Sequence, residues 1–339
     1  MILKPYIEKC LGREQLTQAE ASAALEMIMT NQANDVEVAG FLIALRAKGE
    51  TVDEIVGFAQ TMREHAVRIS AEDPNAIDMC GTGGDGLGTF NISTVASLVA
   101  AGAGVTVAKH GNRSVSSRSG SADLLGALGV NIQRSPDDVQ RCLNSIGIGF
   151  LFAPLFHPAM KYAARARSDL GVRTIFNMLG PLTNPAGVGR QVVGTFSLEV
   201  TRLLAESLRR LGTTRACVLH SRDGMDEVSL SAETDVFDVE GDRSPRQRTL
   251  SAGDFALSGH PPGTARGGTV EENVRIAAAV LRGEKIPARD LVIANAALGL
   301  VAAGKAAGVQ EGAVLAAESI DSGRARVKLE NLVEFTNRP

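Results

Sequence analysis

Five glycines fall within the eight residues Gly81 to Gly88, between a short apolar run and the start of a helix. The whole segment reads Gly81-Thr82-Gly83-Gly84-Asp85-Gly86-Leu87-Gly88-Thr89-Phe90-Asn91-Ile92-Ser93-Thr94. Ala76–Cys80 before it is a strand candidate, and a helix opens at about Ser93. Backbone so rich in glycine can approach an anion closely with its N–H groups exposed. Ser93 and Thr94 stand where a helix N-terminus offers unpaired N–H groups and the positive end of its dipole. A strand, a glycine loop and a helix in this order belong to an α/β sheet that carries such loops at one edge. The same residues satisfy the dinucleotide fingerprint at Gly81, Gly83 and Gly86. That fingerprint expects an acidic residue about 20 positions later, and no Asp or Glu occurs from Gly86 through Ala122. NAD is therefore disfavoured, while an NADP site, which takes a cation there, stays open. No Gly-Lys-Ser/Thr closes the loop as a nucleoside-triphosphate loop would.

A second polar loop follows the strand candidate Val105–Ala108. Lys109 through Ser121 holds three cations, five serines, Asn112 and His110, and no acid. If the two strands are parallel, both loops open at the same C-terminal edge of the sheet, where α/β ligands bind. Two adjacent anion cradles suit a ligand with two separated phosphates; the plainer alternative is a solvated basic loop. His110 alone fits a packed or capping role as well as a ligand-facing one.

The surrounding chain supports an α/β fold with a helical appendage. Residues 1–70 read as all helix, with capping boxes at Thr17-Gln18-Ala19-Glu20 and Thr51-Val52-Asp53-Glu54. The second box opens a helix to about Val67, and Val38–Ala47 forms another, closed by Gly49. From Ala76 onward short strands alternate with helices, which implies a mostly parallel sheet. Further strand candidates are Ile148–Phe152, Val192–Phe196, Ala216–His220 and Val236–Val239. Helix candidates include Ala122–Leu128, Val200–Leu211, Val270–Leu281 and Leu291–Ala303. Gly241–Gly268 is polar and rich in Pro and Gly, and reads as an irregular surface stretch.

Adjacent acids follow the Ala216–His220 strand, at Asp226 and Glu227. Such a pair can hold Mg²⁺ with its retained waters, the ion bridging substrate phosphates; the alternative is a solvated turn around Asp223-Gly224. Asp137 and Asp138, after Ser135-Pro136, look like the acidic first turn of a helix. Arg165 and Arg167 occupy different faces of one helix, and one could meet a carboxylate bidentately. Spacing does not choose between them. Asn177–Pro185 is a rigid, turn-rich segment.

With 339 residues the chain is too long for one simple core, so a large and a smaller domain are expected. Net charge is −3, which gives no drive toward nucleic acid or an anionic membrane. The longest apolar stretch, near Val95–Ala108, contains Gly and Thr and is too short to span a bilayer. Cys10, Cys80, Cys142 and Cys217 lie far apart with no Cys-x-x-Cys pair, so they read as buried reduced thiols. A cytoplasmic enzyme is the expectation.

Together, GTGGDGLGTFNIST at 81–94, KHGNRSVSSRSGSAD at 109–123, FAPLFHPAMKYAARARSDLGVRTIFNMLGPLTNP at 152–185 and DGMDEVS at 223–229 resemble the anthranilate phosphoribosyltransferases of tryptophan biosynthesis. The resemblance runs through about residues 1–330. It implies a helical domain at 1–70, joined by a returning segment at about 165–190. It also implies an α/β domain at 71–164 and 191–339, of the class II phosphoribosyltransferase and nucleoside phosphorylase type. Homodimers packed through the helical domain are implied as well. Phosphoribosyl pyrophosphate would be cradled by Gly81, Gly84, Asp85, Thr89, Asn91, Ile92, Ser93 and Thr94. Lys109, His110, Gly111, Asn112, Arg113, Ser114, Val115, Ser116, Ser117 and Ser121 would complete the cradle. Ser93, Asp226 and Glu227 would hold one or two Mg²⁺ ions. Gly81, Asn112 and Arg167 would receive anthranilate, with His110 and Pro181 lining its approach. An aromatic amine is neutral at pH 7, so no residue is assigned as general acid or base. Ser221 and Met225 replace the family's usual Gly and Leu, and neither change removes a ligand. The rival classes are a pyrimidine nucleoside phosphorylase, an NADP-dependent oxidoreductase and a nucleic-acid-binding relative without activity.

Overall fold

A computed structural model describes residues 2–113 and 119–338. The chain begins with four helices, α1 (Lys4–Leu11), α2 (Gln18–Met29), α3 (Asp35–Lys48) and α4 (Val52–Glu64). Thr17 and Thr51 cap α2 and α4 through the expected boxes, each closed by its glutamate. Asn34 with Glu37 does the same for α3. Helix α4 stops at Glu64 rather than near Val67, because the N–H groups of Val67 and Ile69 donate instead to the carbonyls of Phe156 and Pro185.

Glu54 has a second role beyond its cap. Its side chain is fully buried, pairs with Lys48 at 2.9 Å and accepts the Leu16 N–H at 2.9 Å. Removing one partner strands the other charge in the bundle. Glu54→Ala is expected to cost about 3 kcal/mol or more, read as a lowered thermal midpoint. An unchanged midpoint would show that the pair carries no weight.

The α/β portion follows in chain order. It contains β1 (Ile77–Gly81), α5 (Ile92–Gly102), β2 (Val107–Gly111), α6 (Ser121–Ala127), α7 (Pro136–Ile146) and β3 (Ile148–Phe152). Next come α8 (Ala153–Phe156), α9 (Lys161–Leu170), α10 (Phe176–Leu179), β4 (Arg190–Gly194), α11 (Leu198–Arg210) and β5 (Arg215–Ser221). The chain ends with β6 (Thr234–Glu240), β7 (Arg246–Leu250), α12 (Val270–Leu281), α13 (Pro287–Ala302), α14 (Val309–Asp321) and α15 (Arg324–Asn337). The strands form one sheet in the order β3-β2-β1-β4-β5-β6-β7. Strands β1 to β5 pair in parallel, and β6 and β7 add antiparallel. The order reverses between β1 and β4, which makes that junction the topological switch point.

Alternate strand residues serve two cores. Val192, Cys217, Leu219 and Val236 face α5 and the C-terminal helices. Val193, Ala216, Val218, Phe237 and Val239 face a second core shared by α11, the N-terminal bundle, α9 and α10. Phe176 of α10 meets Phe58 of α4 edge-on at 6.2 Å, and α9 packs on α2 and α3. The chain thus returns to the bundle before completing the sheet.

Two parts of the fold depart from the sequence reading. The stretch Gly241–Gly268 contains an edge strand, β7. Its Arg248 pairs with Asp238 at 2.6 Å and its Thr249 bonds Asp235, so a polar sequence still completes the sheet. Helices α14 and α15 have no counterpart among the helix candidates. Helix α14 buries mainly small residues, Gly312, Ala313, Ala316 and Ser319, and α15 buries only Ala325, Leu332 and Thr336, so neither shows a strong apolar stripe.

Candidate active site

The ends of β1 and β4 meet at Gly81 and Gly194, which are register partners. A Cβ on Gly194 would lie 1.6 Å from the Asp226 carbonyl oxygen, and one on Gly81 would lie 3.0 Å from Asp226 Oδ2. Asp226 is therefore seated directly over the switch point, and glycine on both strands makes room for it. From there the first loop turns through Gly83, Gly84, Gly86 and Gly88, all at positive φ, a conformation glycine adopts without strain.

Asp226, Glu227, Asp85, Ser93 and Lys109 converge here. The Ser93 N–H donates to Glu227 Oε1 at 3.0 Å. Burial, reinforced by Glu227 and Asp85 alongside, pushes the Asp226 carboxyl well above the ordinary carboxylate range. Burial also pushes Glu227 up to about 7, against the pull of Lys109 and Ser93. Asp85 Oδ2 is buried without a hydrogen-bond partner. Crowded acids raised in this way fit a cation, and a hard-oxygen donor set suits Mg²⁺. Among the described residues no three His, Cys, Asp or Glu side chains group as a complete metal cluster. Two carboxylates and a hydroxyl would make a partial shell of the kind that suits Mg²⁺ with retained waters.

Two side chains brace this acidic turn. Ser221 Oγ donates to the Glu227 carbonyl at 2.6 Å. Asn295 of α13 accepts the Val228 N–H at 2.9 Å and donates to the Val228 carbonyl at 3.2 Å. The solvated-turn alternative therefore fails: Asp226 is 9% exposed and Met225 lies in the core. Asp223 alone does turn chemistry, accepting from Met225 N–H and Ser229 Oγ.

The second loop leaves β2 beside the first. Lys109 is buried and donates to the Met79 carbonyl at 2.6 Å; burial lowers its pKa, while Asp78, Cys80 and Glu227 oppose that. Asp78 in turn accepts the His110 N–H at 3.2 Å. His110 Nδ1 lies 3.2 Å from the Gly180 carbonyl, and its ring centroid is 5.2 Å from that of His157. Burial pushes His110 down to about 3 and His157 to about 4, so both are neutral at physiological pH. The Nε2 atoms of both rings are buried without partners. Gly111 is crowded, since a Cβ would lie 2.2 Å from Ser121 Oγ. Asn112 and Arg113 are exposed, with Arg113 paired to Asp123 at 2.9 Å. Ser114, Val115, Ser116 and Ser117 lie outside the described residues.

Other sequence assignments sort by side-chain direction. Ile92 and Thr94 turn inward, 1% and 2% exposed, and the Ile92 N–H is already taken by the Phe90 carbonyl. Ile92 thus turns neither its side chain nor a free N–H toward the loop. Thr89 forms a bridge with Arg266. Pro181 is buried, its carbonyl accepting from Gln191 at 2.7 Å. Arg165 is 78% exposed and spent on Asp35 and Asp169. Arg167 is half-buried over the Phe176 ring, 5.0 Å from its centroid, with no ion pair among the described residues; burial lowers its pKa. The two arginines thus differ in a way that spacing did not show: Arg165 has acidic partners, and Arg167 has none among the described residues.

Sequence reasoning missed His157, Arg173, Asn273 and Asn295. Arg173 stacks on Phe196 at 4.4 Å, donates to the Gly84 carbonyl and accepts Arg46 of α3 on its own carbonyl, tying the bundle to the glycine loop. Only the dense Gly-Val-Arg-Thr context hinted at it; the others are single polar residues whose partners are distant in sequence.

A switch point carrying a glycine loop, a second polar loop and an acid pair, beside a helical bundle, fits a sugar-transferring class. The family described as "Glycosyl transferase family, a/b domain" matches residues 73–326, and "Glycosyl transferase family, helical bundle domain" matches 4–66. The chain is 50% identical to the anthranilate phosphoribosyltransferase of Pelotomaculum thermopropionicum, over 99% of this chain and 97% of the relative. The crystal structure of the Thermus thermophilus enzyme matches with a TM-score of 0.92 and 44% identity, covering 98% and 99% of the two chains. The Saccharomyces cerevisiae enzyme in complex with PRPP and Mg matches with a TM-score of 0.91 and 30% identity, covering 99% and 98%. The same yeast enzyme in complex with 4-fluoroanthranilate gives 0.88 and 28%, covering 99% and 98%. This chain belongs to the anthranilate phosphoribosyltransferase family.

Proposed function

We propose that the chain transfers the phosphoribosyl group of phosphoribosyl pyrophosphate to the amine of anthranilate. The products are N-(5-phosphoribosyl)anthranilate and pyrophosphate, in the second step of tryptophan biosynthesis from chorismate. The observation that carries this reading is the convergence, at one switch point, of the glycine loop, the Lys109 loop and the raised acid pair.

The loop N–H groups between Gly84 and Thr89, other than that of Leu87, and the Ser93 hydroxyl at the helix start would receive phosphate oxygens. Asp226, Glu227 and Ser93 hold one or two Mg²⁺ ions, which when bound neutralise the departing pyrophosphate. Arg167, freed from competing acids, grips the anthranilate carboxylate, and Asn112, the Gly81 backbone, His110 and Pro181 complete that side. This aims the amine at the ribose C1, a proximity effect. The amine attacks as a neutral nucleophile, so His110 and His157 act as neutral walls. Movement about the connections between bundle and sheet would exclude water from the reacting carbon.

The same reading makes the chain a cytoplasmic homodimer that binds neither membrane nor nucleic acid. Leu11, Val36 and Ile43 on α1 and α3 are exposed at 70%, 79% and 39%, apolar surface suited to a second copy. No helix among the described residues is long and apolar enough to cross a membrane.

The test is product identification. Anthranilate, phosphoribosyl pyrophosphate and Mg²⁺ together should release pyrophosphate in step with the phosphoribosylated amine, detected by mass spectrometry. Thymidine with inorganic phosphate should give nothing. Thymidine phosphorolysis without anthranilate turnover would transfer the chain to the nucleoside phosphorylase class.

A further inference from the structure

The side chain of Asn91, at the end of the glycine loop, is committed mainly to other protein groups. Its Nδ2 donates to the Ser119 carbonyl at 3.1 Å, and its Oδ1 accepts from Ser119 Oγ at 3.1 Å and from Asn273 Nδ2 at 3.0 Å. Asn273, in the first turns of α12, is 2% exposed, and its Oδ1 accepts the Gly268 N–H at 2.9 Å. Asn91 thus joins the exits of the two phosphate loops, and the buried Asn273 ties Asn91 to the segment before α12.

The backbone reinforces this junction. Gly267 donates to the Gly88 carbonyl at 2.9 Å, and Phe90 donates to the Ala265 carbonyl at 3.0 Å. Residue 267 has no room for a side chain. A Cβ there would lie 2.5 Å from Asn273 Oδ1 and 2.6 Å from the Phe90 nitrogen. The stretch that reads as irregular surface in the sequence is therefore a clasp on the glycine loop. Directional amide bonds of this kind, Asn91 to Ser119 and Asn273 to Asn91, fix a relative position, which apolar packing alone does not.

We propose that Asn273 is a positioning residue that holds Asn91, the amide linking the two phosphate loops, and through it sets their separation and governs phosphoribosyl pyrophosphate binding without touching the substrate. This rests on the reading of those loops as the phosphoribosyl pyrophosphate site. Asn273→Asp is the decisive variant. It keeps the shape and the acceptor for Gly268, but replaces the donor toward Asn91 with an acceptor facing an acceptor. Gly267→Ala disturbs the same junction from the opposite side.

Phosphoribosyl pyrophosphate affinity of the wild type and both variants should be measured calorimetrically with Mg²⁺, alongside KM for each substrate and the thermal midpoint. The wild type should bind. Both variants should lose about tenfold or more in phosphoribosyl pyrophosphate affinity, the scale of one buried hydrogen bond broken. Their anthranilate KM, measured at saturating co-substrate, should stay within about twofold of wild type. A lowered midpoint with unchanged affinity in Asn273→Asp would reduce the residue to a structural cap and overturn the inference. A wild type that binds no phosphoribosyl pyrophosphate would overturn the reading of the pocket, and the inference with it.

Discussion

Exchanging Asp226 and Glu227 together for Asn and Gln should lower kcat by about a thousandfold, the scale of losing a main electrostatic contribution to a developing negative charge. The metal-free fold should not suffer with it. Both carboxyls have folded pKa values raised above their ordinary ones, by burial first and by neighbouring acids next. A raised acid makes the fold most stable below its unfolded pKa, and that stability is lost as pH rises toward the folded pKa, here about 7 for Glu227. In EDTA the wild type should therefore lose thermal stability between mildly acidic and neutral pH. The amide variant carries no such charge and should be at least as stable as wild type at pH 8. The Ser93 N–H still finds an amide oxygen at position 227, so the local hydrogen bond survives. Thermal scans across pH, paired with turnover at limiting Mg²⁺, check both halves. Near-normal turnover, or a collapse of the fold at pH 8, would remove the acid pair from the metal site.

Replacing Arg167 with Ala should raise the anthranilate KM by about a hundredfold, as expected when one member of a buried charge pair is removed. The KM for phosphoribosyl pyrophosphate should barely change. Arg167 has no acid of its own among the described residues, whereas Arg165 on the next face is already occupied by Asp35 and Asp169. The aromatic shelf of Phe176 holds the guanidinium plane without neutralising it. Arg167→Lys should restore only part of the affinity, because an ammonium lacks the planar fork that meets a carboxylate with two parallel bonds. Steady-state kinetics with each substrate varied in turn separates these outcomes. An unchanged anthranilate KM in the alanine variant would assign the carboxylate to another group.

Much of this site is legible in the sequence because its parts are local. A glycine loop announces positive φ, and Gly83, Gly84, Gly86 and Gly88 adopt it. The capping boxes at Thr17 and Thr51 satisfy helix N–H groups within four residues, so they read directly. Strand Ile148–Phe152 is apolar throughout because both its faces are covered, and its limits are those read from the sequence.

Other features depend on contacts between residues far apart in the chain. Glycine at 194 matters because the Asp226 backbone crosses over it, which no local pattern reveals. Asn273 and Asn295 are single amides on otherwise ordinary helices, and only their distant partners give them meaning. Ile92 enters the cradle only through the resemblance; its side chain follows the apolar face of α5 into the core. Strand β7 is hidden by its arginines, which an exposed sheet edge tolerates and a buried strand would not.

Everything proposed for this chain requires one pocket that grips a doubly phosphorylated sugar beside an acid pair. Its most direct test is a calorimetric titration of phosphoribosyl pyrophosphate into the wild-type protein, once with Mg²⁺ and once with EDTA. One binding site per chain with Mg²⁺, weakened by about tenfold or more in EDTA, is the expected result. Binding that ignores Mg²⁺, or no binding in either condition, would contradict it.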